Sequence, residues 1–149
     1  MRKDDCIFCK IVDGKILSYK IYEDDDFLGI LDVFPNTKGM ALLMPKEHYD
    51  SYVFDMPDDV YVKYMQTAKK LGKKIDDVMK VQRTAMVMEG MGVNHAHLKF
   101  YPLHGLGEKW ENKDAPERKF FDRYQGYLST LMGPQAKDED LKEVQKLFE

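Results

Sequence analysis

Residues 58–80, DDVYVKYMQTAKKLGKKIDDVMK, restrict the fold more than any other stretch. Tyr61, Tyr64, Met65, Ala68, Leu71, Ile75, Val78 and Met79 recur at the three- and four-residue spacing of one helical face, with lysines and aspartates elsewhere. A long helix with one apolar stripe needs a surface to bury that stripe against, and the rest of the chain offers short apolar runs suited to strands. SYKIYED (18–24) and FLGILDV (27–33), separated by acidic residues, read as a hairpin. MALLMP (40–45) follows Pro35, Asn36 and Gly39 and reads as a third strand. QRTAMVME (82–89) and NHAHLKFY (94–101) read as a fourth and fifth, joined by the glycines of EGMG. Asp58 or Asp59 is placed to cap the helix. The prediction is an α+β fold: a five-stranded antiparallel sheet with one long central helix.

Beyond Pro102 the character changes. GLGEKWENKDAPE is polar loop, RKFFDRYQGYLSTLM (118–132) has helical spacing, Gly133–Pro134 stops it, and KDEDLKEVQKLF (137–148) reads as a last amphipathic helix. The expected organisation is a domain over 1–104 and a helical extension over 105–149 packed on the same domain.

The chain has 149 residues, enough for one real core, and 44% of them are hydrophobic. Its net charge of −3 leaves no basic surface for nucleic acid, so an anionic ligand needs a local cluster of donors. No apolar run approaches the roughly 20 residues of a membrane span, and MRKDDCIFCK is too polar for a signal peptide. A soluble, cytoplasmic protein is expected.

Cys6 and Cys9, in CIFC, are the only cysteines. In a chain without a secretion signal such a pair suits metal binding or redox chemistry better than a structural disulfide. A thioredoxin-like use would place the pair between a strand and a helix, and nothing before Cys6 can be that strand. The bland alternative is two small buried side chains.

Residues 94–101 carry the other unusual pattern. Side chains alternate across a strand, so Ala96, Leu98 and Phe100 share one face and His95, His97, Lys99 and Tyr101 the other. The apolar set reads as the side facing the helix, which fixes the register and points both imidazoles the same way. The row is then either a solvated polar face or a functional array.

With these residues in view, the sequence resembles the histidine triad (HIT) family of nucleotide hydrolases and transferases. The triad pattern His-φ-His-φ-His-φ-φ, with φ apolar, is met by His95-Ala96-His97-Leu98-Lys99-Phe100-Tyr101-Pro102, with lysine at the third histidine position. CIFCKIVDGKI resembles the opening of zinc-containing bacterial members, ILDVFPNTKGMALLMPKEH their strand-loop-strand, and GVNH the lead into the triad. The resemblance spans about residues 5–104 and implies a HIT-like fold.

It also implies roles, with His95, His97 and Lys99 as the catalytic set. His97 is the nucleophile toward the α-phosphorus of a nucleoside phosphoramidate, nucleotidyl adduct or dinucleoside polyphosphate, and no cofactor is required for that chemistry. Lys99 keeps a donor and adds positive charge at the third position, or else it faces solvent beside a dead site. Asp32 binds the ribose hydroxyls, or simply starts a turn. Ile7, Phe8, Ile21 and Ile30 wall the base pocket, or are plain core. The pre-triad loop lacks the family's asparagine and glutamine, leaving the amides of Gly90 and Gly92 as anion donors. Cys6, Cys9, His48 and His95 form a closed Cys₂His₂ set for a structural zinc; for His48 a surface position is the alternative. A homodimer is implied as well. The alternative to an enzyme is a catalytically impaired, zinc-stabilised nucleotide-binding interaction protein. His104, Trp110 and the C-terminal aromatic residues have no role assigned.

Overall fold

A computed structural model describes residues 3–148. The chain divides into two compact units, Met1–Trp110 and Glu111–Glu149. In the first, α1 (Ile7–Val12) precedes β1 (Lys20–Glu23), β2 (Phe27–Leu31) and β3 (Ala41–Pro45); α2 (Asp58–Met79), β4 (Thr84–Val87) and β5 (Leu98–Pro102) follow. The strands form one sheet in the order β1-β2-β3-β5-β4, each pair antiparallel. This is the α+β architecture expected from the apolar pattern. The strands are shorter than their apolar runs.

The sheet is buried on both sides. Phe27, Leu43, Leu98 and Phe100 pack with Tyr64, Ala68, Leu71 and Ile75 of α2, the helical stripe read from the sequence. Leu28, Ile30, Leu42 and Met44 meet Cys6, Phe8, Cys9 and Ile11 from α1 and the residue before it. β2 and β3 are accordingly continuous buried runs rather than alternating ones. Inside the α2 layer, the Tyr64 hydroxyl donates to the Leu43 carbonyl, so the helix is tied to the central strand by a polar contact as well as by packing.

Three expectations need correction. The N-cap of α2 is Pro57, with no side-chain cap; Asp58 and Asp59 lie in the first turn, where their charge still favours the positive end of the helix. The regular strand begins at Leu98, so His95 and His97 occupy the irregular approach to β5 rather than its interior.

The third correction concerns the second unit. Residues 118–132 form no helix despite their spacing. Gly126 sits at φ 88°, which interrupts any helix, and the Ser129 hydroxyl takes the Leu131 N–H in place of a helical carbonyl. Exposed Phe120, Tyr124, Tyr127 and Leu128 give the segment no packed face to repay ordering. The last helix is present as α3 (Asp138–Gln145), followed by a 3₁₀ turn over Lys146–Phe148. Among the described residues no helix is long and apolar enough to cross a membrane.

Candidate functional site

On the α1 side of the sheet, register brings separate strands into cross-strand rows. Ile30 faces Leu42, Leu42 faces Lys99, and Lys99 faces Val87. Lys99 and Tyr101 are half-buried on this side, while Leu98 and Phe100 point into the α2 core. The parity read from the sequence therefore holds. The histidines on that face are buried, however: His95 is 0% exposed and His97 4%. A solvated polar row is excluded.

Cys6 is the N-cap of α1 and Cys9 lies within the helix, and both are buried. Cys6 Sγ is 3.4 Å from His95 Nδ1, Cys9 Sγ 3.6 Å from the same nitrogen, and Cys9 Sγ 3.4 Å from His48 Nδ1. The four ligand atoms of Cys6, Cys9, His48 and His95 lie within 4.8 Å of one another. A tetrahedral zinc with bonds of about 2.3 Å to sulfur and 2.0 Å to nitrogen sets sulfur–nitrogen edges of about 3.5 Å. The donor set fits that ion in identity, number and spacing.

The tautomers fit too. His95 Nε2 lies 2.9 Å from the Pro45 carbonyl, which can only accept, so Nε2 carries the proton and Nδ1 presents a lone pair to the thiols. His48 Nε2 is 3.2 Å from Asp50 Oδ1, with the same consequence, and Lys3 Nζ holds that carboxylate at 2.9 Å. Carboxylate and carbonyl partners behind ligand histidines are what orients them for a metal. Burial pushes the His95 pKa down to about 4, keeping it a neutral donor. Burial raises the Cys9 thiol, against which the Lys3 amide donates to Cys9 Sγ at 3.4 Å. His48 is buried, not a surface residue.

His97 has a different arrangement. Its Nδ1 lies 2.7 Å from the backbone carbonyl of His95, so Nδ1 is the protonated nitrogen and Nε2 keeps its lone pair. Burial lowers its pKa, and the Lys99 charge acts in the same direction, against the carboxylates of Glu89 and Asp32. The ring is therefore neutral near pH 7, with a lone pair kept on Nε2. Phe8 packs edge-on against it at a centroid distance of 5.1 Å and 73°.

The other expected residues divide. Ile30 and Phe8 are buried on the His97 side, whereas Ile7 is 47% exposed and Ile21 packs with the α2 core. Asp32 Oδ1 accepts the Phe34 N–H at 2.8 Å, so one carboxylate oxygen starts a turn, as the plainer reading of that residue had it. Gly92 has open space where a side chain would project. Gly90 does not: φ is +76°, and a Cβ there would lie 2.8 Å from the Ser51 backbone oxygen. Ser51 is further bound to the loop through Asn94 Oδ1, which accepts its N–H at 2.9 Å. Gly90→Ala combines left-handed strain with a backbone clash, so it should cost about 1–3 kcal/mol. A lowered midpoint of urea unfolding with unchanged slope checks this. His104 Nε2–H donates to the Lys38 carbonyl at 2.8 Å and serves a loop.

Lys3, Asp50 and Glu89 were not singled out from the sequence. Glu89 had a signal: β4 and β5 pair residues summing to 186, as Val87 with Lys99, and continuing that register sets Glu89 across from His97.

Fold and site together define an antiparallel α+β domain with a buried imidazole beside a Cys₂His₂ cluster that could hold a metal ion. The chain belongs to the HIT family: the HIT domain matches residues 13–105. The adenosine 5′-monophosphoramidase of Saccharomyces cerevisiae is 31% identical over 134 residues, 86% of this chain and 84% of that protein. A crystal structure from Streptococcus mutans aligns with TM-score 0.69 and 27% identity over 99% of this chain and 87% of the other. A zinc-bound histidine triad family protein from Mycobacterium smegmatis aligns with TM-score 0.63 and 28% identity, over 76% of this chain and 84% of that one.

Proposed function

We propose that the chain cleaves nucleotides at the α-phosphate through a nucleotidyl-histidine intermediate, acting on nucleoside phosphoramidates, nucleotidyl adducts or dinucleoside polyphosphates. The observation that carries this is the 2.7 Å contact from His97 Nδ1 to the His95 carbonyl, which leaves Nε2 free on a neutral ring. In this reading the Nε2 lone pair forms a bond to the α-phosphorus as the bond to the leaving group breaks. The leaving phosphate, or the leaving amine after taking a proton from solvent, departs with the electron pair, and water then cleaves the N–P bond, returning a proton to solvent and releasing the nucleotide. The yeast relative's activity on an adenosine phosphoramidate supports the substrate class.

Lys99 takes the third triad position in this reading, with its charge toward the phosphoryl oxygens. Lys99→Met should lower kcat by about a hundredfold with a smaller change in KM, measured as AMP release at saturating substrate. Asp32, through the carboxylate oxygen not used by Phe34, serves the ribose, while Phe8, Ile7 and Ile30 border the base and Gly92 offers its amide.

Cys6, Cys9, His48 and His95 would hold a structural zinc; when bound it supplies a closed four-ligand cross-link between the α1 segment and the strands. We also read the protein as a cytoplasmic homodimer. The two free cysteines suit a reducing compartment, and β4 lies at the sheet edge with Met86 42% exposed.

The test is AMP release from adenosine 5′-phosphoramidate and from diadenosine tetraphosphate. Turnover of either supports the enzyme. If AMP raises the melting temperature while neither substrate is cleaved, the chain is a binding protein instead, and Lys99 is the residue that favours that outcome.

A further inference from the structure

His95 has two attachments of different kinds. Its ring Nδ1 stands 3.4 Å from Cys6 Sγ and 3.6 Å from Cys9 Sγ, while its backbone carbonyl accepts the Nδ1–H of His97 at 2.7 Å. A ligand that fixes the His95 ring therefore also fixes the acceptor that orients His97.

Phe8 makes a second connection. It stands between Cys6 and Cys9 in sequence, so the two sulfurs that would clamp α1 flank it on either side. Its ring lies edge-on to both histidines, at centroid distances of 5.8 Å to His95 and 5.1 Å to His97, with interplanar angles of 79° and 73°. It is buried in the same cluster as both cysteines. Edge-to-face contacts depend steeply on angle and separation, so moving α1 would change how the His97 ring is held. Nothing in the attack at phosphorus needs a metal, yet the four candidate ligands lie one residue and one ring from the nucleophile.

We propose that the metal centre is a positioning device for His97, acting through the His95 carbonyl and the Phe8 ring, and that Phe8 is a positioning residue rather than only a wall of the base pocket. The proposal rests on the proposed role of His97 for its kinetic consequence, but not for its structural one. Metal bound at the four ligands would hold the His95 main chain and α1 in one geometry. The His97 Nδ1–H would then stay in its hydrogen bond, with Nε2 aimed in one direction. Without the metal, the ring would sample other rotamers.

The test uses the full chain loaded with one equivalent of zinc and confirmed by metal analysis. Exchange of the His97 Nδ1 proton with water is followed by ¹⁵N-edited NMR, with the spectrum of His97→Gln assigning the signal. Chelating the zinc should speed that exchange at least about tenfold while circular dichroism stays that of the folded chain. Phe8→Leu, still zinc-loaded, should speed it as well and should lower kcat by roughly tenfold with less than about a threefold change in KM. Phe8→Tyr, which keeps the ring edge, should restore both. If chelation unfolds the chain, zinc-loaded Phe8→Leu decides alone; if Phe8→Leu does not fold, chelation decides.

Equal exchange rates with and without metal, or failure to bind zinc at all, overturn the proposal. So does a Phe8→Leu variant that alters KM alone, because a base-pocket wall would do that. Absence of turnover in every form would sink the catalytic reading of His97, while the exchange measurement would still decide whether the metal orients it.

Discussion

His97→Ala should abolish AMP release from adenosine 5′-phosphoramidate, by at least roughly a thousandfold, which is about 4 kcal/mol of transition-state stabilisation. The expectation follows from the state of one ring. His97 is almost fully buried, and its Nδ1 proton is committed to the His95 carbonyl. No buried side-chain nitrogen or oxygen among the described residues lacks a partner, so Nε2, which has no protein hydrogen bond, sits where solvent reaches it. In the proposed reaction that open Nε2 is the atom an electrophile would meet. Burial lowers its pKa, so the neutral, nucleophilic form is available near neutrality without a separate base. In the proposed reaction, alanine removes the nucleophile without replacing it. AMP should still bind the variant, since the residues read as ribose and base contacts are untouched. Retained binding, seen as a rise in melting temperature, separates loss of chemistry from loss of fold. Undiminished turnover in His97→Ala would show that another group attacks, and the histidine reading would fall.

What could be read from the sequence was the part governed by strong periodicity. The α2 stripe at Tyr64, Ala68, Leu71 and Ile75 needed only helical spacing, and the sheet followed from short apolar runs with nowhere else to go. The common face of His95 and His97 was legible although both precede the regular strand. Ala96, Leu98 and Phe100 all enter the α2 core, and parity does the rest.

Burial of those histidines was not legible, because what covers them is α1. That helix has six residues, too few to show a period, and it becomes visible only once it is folded back on the sheet. The false helix over 118–132 shows the converse. Its aromatic spacing was helical, but spacing without a surface to pack on does not repay the cost of ordering. Gly126 at positive φ then settles that segment as irregular chain. The residues behind the site, Asp50 to His48 and Lys3 to Asp50, join segments far apart or pair through the second ring nitrogen. No local pattern marks a group whose role is to orient another group.

Removing the proposed zinc should destabilise the fold substantially. The sulfur and imidazole donors come from α1, the segment after β3 and the approach to β5, three places otherwise joined by packing and a few hydrogen bonds. A ligand that binds only the folded chain at about a thousand times its Kd adds about 4 kcal/mol. For a chain of this size, at roughly 2–4 °C per kcal/mol, that corresponds to a melting temperature lower by about 10 °C in the chelated protein. Cys9→Ser should reproduce most of this fall, since it leaves three ligands and a hard hydroxyl where a soft thiolate was. The loss should also be local before it is global. Amides of α1, held by Cys6 and Cys9, should lose hydrogen-exchange protection first. Those of α2, whose core at Tyr64, Leu71 and Ile75 shares no ligand with the cluster, should keep theirs longest. If instead zinc binds and its removal leaves both the melting temperature and the α1 amides unchanged, the four residues do not act as a structural cross-link.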